Sequence, residues 1–307
     1  MYDQTTSINN ITNWKEYGRM VRSKGCHLMP RLDEFPNSIL VTGCQRSGTT
    51  MTGEVINQSD ELINFAFGRE ISLDAALILG GYVDHTPRGR YCFQTTWLNQ
   101  CYQEYLNYHN GHKIVWVLRN PLSVVRSMLY NWPVGALDEL FRDCGIFALP
   151  PFLRRSYILL SQPLVSKIQQ VYFGYEGKGA RYLKRQRFNR EELMTVDFDS
   201  SRIYVGLDRL QRACYAFNGK VSQIFDLKRH FDNERLIIIE YNDLVINKDE
   251  KLPKLFELLQ IKYRPEYSDM IHSQSLAKAE TLSEFEIKTI KTLCDPVFNQ
   301  AKTLVTL

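Results

Sequence analysis

The chain has 307 residues, of which 44% are hydrophobic and 23% charged, a composition that is ordinary for a globular protein with a substantial core. Its net charge of +4 favours anionic ligands but lies far below that of a dedicated nucleic-acid binder. The seven cysteines include no Cys-x2-Cys pair, which argues against a disulfide framework or a structural zinc site and favours a reducing cytoplasm. Residues 1–13 lack the apolar core of a signal peptide, and no apolar run approaches the ~20 residues of a membrane-spanning helix.

Apolar runs and amphipathic segments alternate along the chain after an N-terminal extension, residues 1–37, in which one short helix is expected around 14–21. The predicted strands cover residues 38–42, 62–67, 91–96, 113–118 and 235–241. The predicted helices cover residues 49–58, 74–79, 97–108, 122–130, 202–230, 252–259 and 282–301. This alternation indicates an α/β fold with a mostly parallel central sheet flanked by helices. We expect one domain over residues 1–307, with the irregular segment 131–200 as an insertion that forms part of the ligand site or a lid.

A phosphate-binding loop is predicted between the first strand and the helix that follows it. Gly43 and Gly48 are separated by four residues, and Thr49 and Thr50 open the helix. A strand that turns through glycines into a helix presents free backbone N–H groups, here those of residues 47–50, and the positive end of the helix dipole. Thr49 occupies the position of the lysine that serves the β- and γ-phosphates of ATP and GTP, so the nearest cation is Arg46. The alternative is a plain turn rich in small polar residues.

A second anion site is predicted after the strand 113–118. Arg119 follows this strand directly, and Ser127 lies eight residues further on, in the helix that begins near Pro121. A guanidinium and a hydroxyl group beside a helix start can bind a phosphate, although each residue alone would be read as a helix cap or a surface side chain. Because ligands of parallel sheets bind beyond the carboxyl ends of the strands, we expect this pair and the loop to share one site.

With these two motifs the sequence resembles the sulfotransferases that use 3′-phosphoadenosine 5′-phosphosulfate (PAPS). Residues 45–50 are similar to that family's 5′-phosphosulfate loop, and residues 117–127 to its 3′-phosphate motif; residues 236–245, 254–259 and 282–298 match it more loosely. The resemblance implies a P-loop nucleotide-kinase-like sulfotransferase fold and PAPS as co-substrate, without a metal. The PAPS-binding residues that it implies are Arg46, Ser47, Gly48, Thr49, Thr50, Arg119, Ser127 and Lys278.

The general base is the open question of this resemblance. Small-molecule enzymes of the family use the histidine of a Lys-Thr-His segment, whereas the matching segment here runs from Gln94 to Thr96 and has no histidine. Carbohydrate and protein-tyrosine sulfotransferases use a glutamate placed much as Glu70 is, after the predicted strand 62–67. We therefore predict Glu70 as the base, with Arg46 at the leaving group and His85 as the second choice. The alternative is that Glu70 pairs with Arg69 or caps the next helix.

The resemblance predicts transfer of the sulfuryl group from PAPS to a hydroxyl or amine of a small molecule, with adenosine 3′,5′-bisphosphate (PAP) as the product. A carbohydrate is the alternative acceptor, and a P-loop small-molecule kinase or a non-catalytic nucleotide-binding relative is the alternative function. The basic run 178–190 could attract an anionic acceptor, fold over the nucleotide or form a solvated helix face. No nucleic-acid or membrane partner is expected, and a homodimer is left open.

Overall fold

The computed structural model describes residues 11–21, 27–65, 67–107, 111–154, 156, 206–272, 276 and 281–307. Lys278 and the basic run 178–190 lie outside these residues, as does most of the segment 131–200 that was predicted as an insertion. The described part of the chain contains a four-stranded parallel sheet with helices on both faces. The α/β architecture predicted from the sequence is therefore confirmed.

The strands run in the order β2-β1-β3-β4 across the sheet. Their bounds are Ile39–Gly43 for β1, Cys92–Gln94 for β2, Lys113–Leu118 for β3 and Leu236–Glu240 for β4. Gly43 of β1 lies opposite Val117 of β3, and Leu118 lies opposite Glu240 of β4. The strands thus end almost level, so the segments that follow them emerge at the same edge of the sheet.

The helices are short except near the C-terminus. Their bounds are Trp14–Val21 (α1), Thr49–Ile56 (α2), Ile71–Leu79 (α3), Pro121–Tyr130 (α4), Val134–Leu140 (α5), Ile146–Ala148 (α6), Arg209–Val221 (α7), Gln223–His230 (α8), Tyr241–Ile246 (α9), Lys248–Leu259 (α10) and Glu284–Lys302 (α11). A π-helical turn, Phe141–Gly145, joins α5 to α6, and 3₁₀ turns span Leu32–Glu34, Leu98–Asn107 and Pro265–Met270.

Each face of the sheet has its own core, which explains why the strands read as continuous apolar runs. Side chains alternate along a strand, so Ile114 and Trp116 of β3 enter one core while Val115 and Val117 enter the other. The first core also contains residues of α1, α3, α4, α7 and α11, and the second contains residues of α2, α9 and α10. This two-sided burial holds the strand ends, and the polar segments that follow them, in fixed positions.

The predicted strand 62–67 is wrong, because the described residues of this segment form no strand. Phe65 is buried, so the apolar pattern reflects packing rather than strand pairing. Ile63 N–H donates to the Arg90 carbonyl at 2.7 Å, but Phe67 N–H donates to the carboxylate of Asp74 at 2.8 Å. Side-chain capping at Phe67 and a positive φ of 83° at Gly68 turn the chain away from the sheet. The predicted helix 97–108 is also corrected, to the 3₁₀ turn Leu98–Asn107.

His112, which precedes β3, gives a testable link between pH and stability. The ring is 1% exposed, and neither ring nitrogen has a hydrogen-bond partner among the described residues. Burial lowers the pKa of His112 from 6.5 to about 4, with Asp33 opposing this shift and Arg235 adding to it. Between these two pH values the unfolded chain takes up a proton that the folded chain does not. The free energy of unfolding should therefore fall by about 1.4 kcal/mol per pH unit on acidification.

We expect His112→Met to remove this dependence. Between pH 7 and pH 5 the wild type should lose about 2 kcal/mol more free energy of unfolding than the variant, as measured by urea unfolding at both pH values. The exposed His230 supplies the matched control, since His230→Met should keep the wild-type slope. Parallel pH dependence of the wild type and His112→Met would refute the assignment.

Candidate active site

The loop between β1 and α2 turns tightly. Gly43 has a φ of 149°, and a Cβ there would lie 2.5 Å from the Val117 carbonyl oxygen of β3. Gly48 has a φ of 97°, and a Cβ there would lie 2.0 Å from the ring of Tyr241. Arg46 itself has a φ of 72°, in the left-handed region that non-glycine residues rarely occupy. The two glycines thus let the loop pass between β3 and Tyr241 and present Arg46 at its tip.

The start of α2 provides unpaired donors for an anion. The N–H groups of Thr49, Thr50 and Met51 have no acceptor within the helix, because they belong to its first turn. The Ser47 N–H, which was predicted to join them, instead donates to the Cys44 carbonyl at 3.1 Å. The Ser47 hydroxyl is fully buried and has no hydrogen-bond partner among the described residues. The helix N–H groups are therefore donors available to an anion, and the Ser47 hydroxyl is an unsatisfied polar group beside them.

Gln94 fixes the two threonines at the helix start. Its amide nitrogen lies 3.0 Å from the hydroxyl oxygens of both Thr49 and Thr50, and its side chain is buried. Gln94 is the last residue of β2, so the sheet orients the hydroxyls that open α2. A neutral amide thus lies beside the loop, at the position that the sequence resemblance matches to a lysine.

Arg46, Arg119 and Ser127 come together as the sequence predicts for a shared site. Arg46 Nε donates to the Ser127 hydroxyl at 3.0 Å, and a terminal nitrogen of Arg119 donates to the Arg46 carbonyl at 3.4 Å. Arg119 also lies over the ring of Tyr241, with its guanidinium carbon 4.3 Å from the ring centre. Arg46 thus contacts both other residues, Ser127 through its side chain and Arg119 through its carbonyl.

The electrostatics of these two arginines favour an anionic ligand. Burial lowers the pKa of Arg46, and the nearby carboxylate of Glu70 opposes that shift. Burial also lowers the pKa of Arg119, Tyr241 opposes it, and the positive charge of Arg46 adds to the lowering. Two desolvated guanidinium groups that repel one another gain stability when an anion binds near both. The site is therefore suited to a ligand with more than one negative group.

Glu70 lies on the Arg46 side of the site, at the residue before α3. Its Oε1 accepts a 2.7 Å hydrogen bond from the Ser72 hydroxyl, and its Oε2 accepts a 3.0 Å bond from the indole N–H of Trp14. The side chain caps no backbone N–H of α3. Arg69 donates to the Ile11 carbonyl and to Asp74. Within the described residues, neither of the structural roles considered for Glu70 is therefore observed.

His85 lies elsewhere. Its Nε2 is 3.1 Å from the hydroxyl of Tyr91, and its ring contacts Phe35 and Phe67. Tyr91 precedes β2, whereas the phosphate loop follows the carboxyl end of β1. Burial lowers the pKa of His85, with Arg88 and Arg31 adding to the shift. Among the described residues, no hydrogen bond or ring contact joins this histidine to Arg46 or Glu70.

Lys220 of α7 is a residue of this region that sequence analysis missed. Its side chain is fully buried, and its Nζ donates to the Thr96 carbonyl at 2.8 Å. Burial raises the pKa of the Cys44 thiol, and the charge of Lys220 opposes that rise, so the ammonium lies close to the first loop residue. The only signal in the sequence is the place of Lys220 three residues after Phe217, on the apolar face of α7.

Comparison with known proteins gives low-identity structural likenesses only. No protein-family model matches the chain, and no curated protein matches it. Among solved structures, the chain is similar to the sulfotransferase domain from the curacin biosynthetic pathway, with 12% identity, a TM-score of 0.44 and coverage of 88% of this chain and 98% of that one. It is similar to the sulfotransferase domain of the Synechococcus PCC 7002 olefin synthase, with 11% identity, a TM-score of 0.41 and coverage of 89% and 90%. It is also similar to retinol dehydratase in complex with androsterone and inactive cofactor PAP, with 13% identity, a TM-score of 0.35 and coverage of 92% and 84%.

Proposed function

We propose that this chain is a PAPS-dependent sulfotransferase that acts on a hydroxyl or amine of a small molecule. The observation that carries the proposal is that Arg46 bonds to Ser127 through its side chain and to Arg119 through its carbonyl, in a loop without a lysine after its second glycine. PAPS has two separate anionic groups, a 5′-phosphosulfate and a 3′-phosphate, and no β–γ phosphate pair. One loop and one further arginine match that number of anionic groups.

Arg46 and the N–H groups at the start of α2 suit the leaving group. As the acceptor oxygen forms its bond to sulfur, the bond from sulfur to the bridging oxygen of the 5′-phosphate breaks, and the electron pair moves onto that oxygen. A buried guanidinium and helix N–H groups stabilise this developing charge. They are held by the fold before the reaction begins, so they need no reorganisation during transfer.

Glu70 suits the proton transfer. The acceptor loses its proton as the new S–O or S–N bond forms, and a carboxylate near the loop receives it. Each carboxylate oxygen already accepts one hydrogen bond and keeps a further lone pair for the acceptor proton. The carboxylate also lies near enough to Arg46 to influence the pKa of that residue. Base and leaving-group cation would therefore act on the same sulfuryl group.

None of the described helices is both long and apolar enough to cross a membrane.

We propose a small-molecule acceptor, with a carbohydrate as the alternative. An acceptor screen with radiolabelled PAPS would distinguish these two classes.

A comparison of nucleotides tests the proposal. PAP should raise the melting temperature of the protein clearly more than ATP with Mg²⁺ at equal concentration, because the loop lacks the lysine that serves a triphosphate. Stabilisation by ATP with Mg²⁺ alone would refute it in favour of a kinase. A transfer assay with radiolabelled PAPS then separates an enzyme from a nucleotide-binding relative, a reading that the threonine at position 96 favours. PAP binding without transfer to any acceptor class would support that second reading.

A further inference from the structure

The N-terminal helix α1 is attached to the segment that holds Glu70. Arg69 Nε donates to the Ile11 carbonyl, just before α1, at 2.7 Å. The indole of Trp14 stacks on Trp97, with ring centres 4.9 Å apart and an interplanar angle of 21°. Its N–H donates to Glu70 Oε2 at 3.0 Å. Backbone, ring and indole contacts thus hold this end of α1 beside the proposed base.

The indole of Trp14 is fixed before it donates to Glu70. Tyr17 of the same helix contacts the indole edge-on, with ring centres 5.3 Å apart, and Trp97 covers its face. Trp97 directly follows Thr96, at the carboxyl end of β2. The position of the indole N–H therefore depends on the same sheet edge that positions the phosphate loop.

Trp14 limits the motion of the Glu70 side chain. A glutamate side chain has three rotatable bonds, and ordering it costs conformational entropy. Hydrogen bonds from Trp14 and Ser72 hold both carboxylate oxygens. Among the described residues, Arg46 of the loop lies close enough for Glu70 to influence its pKa, and Arg69 and Asp74 pair with each other. Trp14 is thus the donor to Glu70 that comes from outside its own segment among the described residues.

We propose that Trp14 is a positioning residue of the active site, whose indole N–H orients the Glu70 carboxylate toward the acceptor. The inference rests on the proposed function, because it takes Glu70 as the base. It makes the N-terminal helix α1 part of the proposed active site, although no sequence motif linked the two. The hydrogen bond fixes the direction in which the carboxylate points, so its loss should lower kcat more than it changes KM for PAPS.

Indole resonances of ¹⁵N-labelled protein test the contact directly, whether or not transfer is detected. The chain has four tryptophans, so four indole peaks are expected, and Trp14→Phe identifies the one that belongs to Trp14. This peak should shift in Glu70→Gln, where an amide replaces the carboxylate that accepts the indole N–H. The buried Trp116 supplies an internal control that should not respond. A Trp14 peak whose position is the same in the wild type and in Glu70→Gln would overturn the inference.

The separation of kcat from KM tests the role. Trp14→Phe keeps an aromatic ring against Trp97 but removes the N–H donor. We expect kcat to fall about tenfold, with KM for PAPS changed less than about twofold. Tyr263→Phe removes a hydroxyl group from a ring that packs against the core of the other sheet face, and it should keep the wild-type kcat and KM. An unchanged kcat in Trp14→Phe, or a rise in KM as large as the fall in kcat, would overturn the inference, whereas an inactive wild type would count against the proposed function.

Discussion

Glu70→Gln is expected to lower kcat about 10³-fold while the stabilisation by PAP stays within about 1 °C of the wild type. Glutamine has nearly the same size as glutamate and can still accept a hydrogen bond from Trp14 or Ser72, so the pocket should keep its shape. It cannot take the acceptor proton at any accessible pH. Transfer of radiolabel from PAPS measures the rate, and thermal unfolding with and without PAP measures binding.

A surface carboxylate gives the matched control for this prediction. Glu34 pairs with Arg31, is about half exposed and has no contact with the phosphate loop among the described residues. Glu34→Gln should leave both transfer and PAP binding unchanged. A Glu70→Gln variant with more than about one tenth of the wild-type kcat would remove Glu70 as the general base. Loss of PAP stabilisation together with turnover would instead indicate that Glu70 supports the nucleotide site.

The sheet was predictable where burial alone decides the strand. β1, β3 and β4 are buried on both faces, so their sequences are uninterrupted apolar runs bounded by polar residues. The same rule failed at 62–67, where Leu62 and Phe65 are buried without strand pairing. An apolar pattern indicates that side chains are buried, but it does not show which backbone groups pair. The edge strand β2 lies within the predicted strand 91–96 but has only three residues, so the sequence overestimated its length.

The conformation of the loop between β1 and α2 was predictable because its constraints are local. Turning a strand into a helix within a few residues requires the backbone freedom of Gly43 and Gly48, and those glycines stand at a fixed spacing in the sequence. Arg119 could be added because a residue that follows a parallel strand must emerge at the same edge. Each of these inferences needs only the chain order and the geometry of one element.

Trp14 and Lys220 could not be found in this way. The bond from Trp14 to Glu70 spans 56 residues, and the bond from Lys220 to Thr96 spans 124. Such contacts depend on how helices pack across the sheet, which no short spacing records. Some polar residues of the site are therefore positioned by the local backbone, whereas Trp14 and Lys220 are positioned by tertiary packing.

Arg119→Met is expected to weaken PAP binding about 30-fold while the affinity for adenosine 5′-phosphate changes less than about threefold. The proposed contact is with the 3′-phosphate, which only PAP has, and a charge-assisted hydrogen bond to phosphate is worth about 1.5–3 kcal/mol. The 5′-phosphate should stay bound by the start of α2 and Arg46. Calorimetric titration of the two nucleotides into the wild type and the variant measures the difference.

Two further variants make this prediction specific. Arg119→Lys keeps the charge but loses the planar fork and the stacking on Tyr241, so we expect a loss of PAP affinity between those of the wild type and Arg119→Met. Arg90 is a control of similar kind at the other end of the sheet, where it donates to the carbonyls of Asn37, Leu259 and Gln260. Arg90→Met should lower the melting temperature, and it should change the affinities for PAP and for adenosine 5′-phosphate by the same factor. Equal losses for the two nucleotides in Arg119→Met would mean that Arg119 supports the phosphate loop through the Arg46 carbonyl and binds no second phosphate.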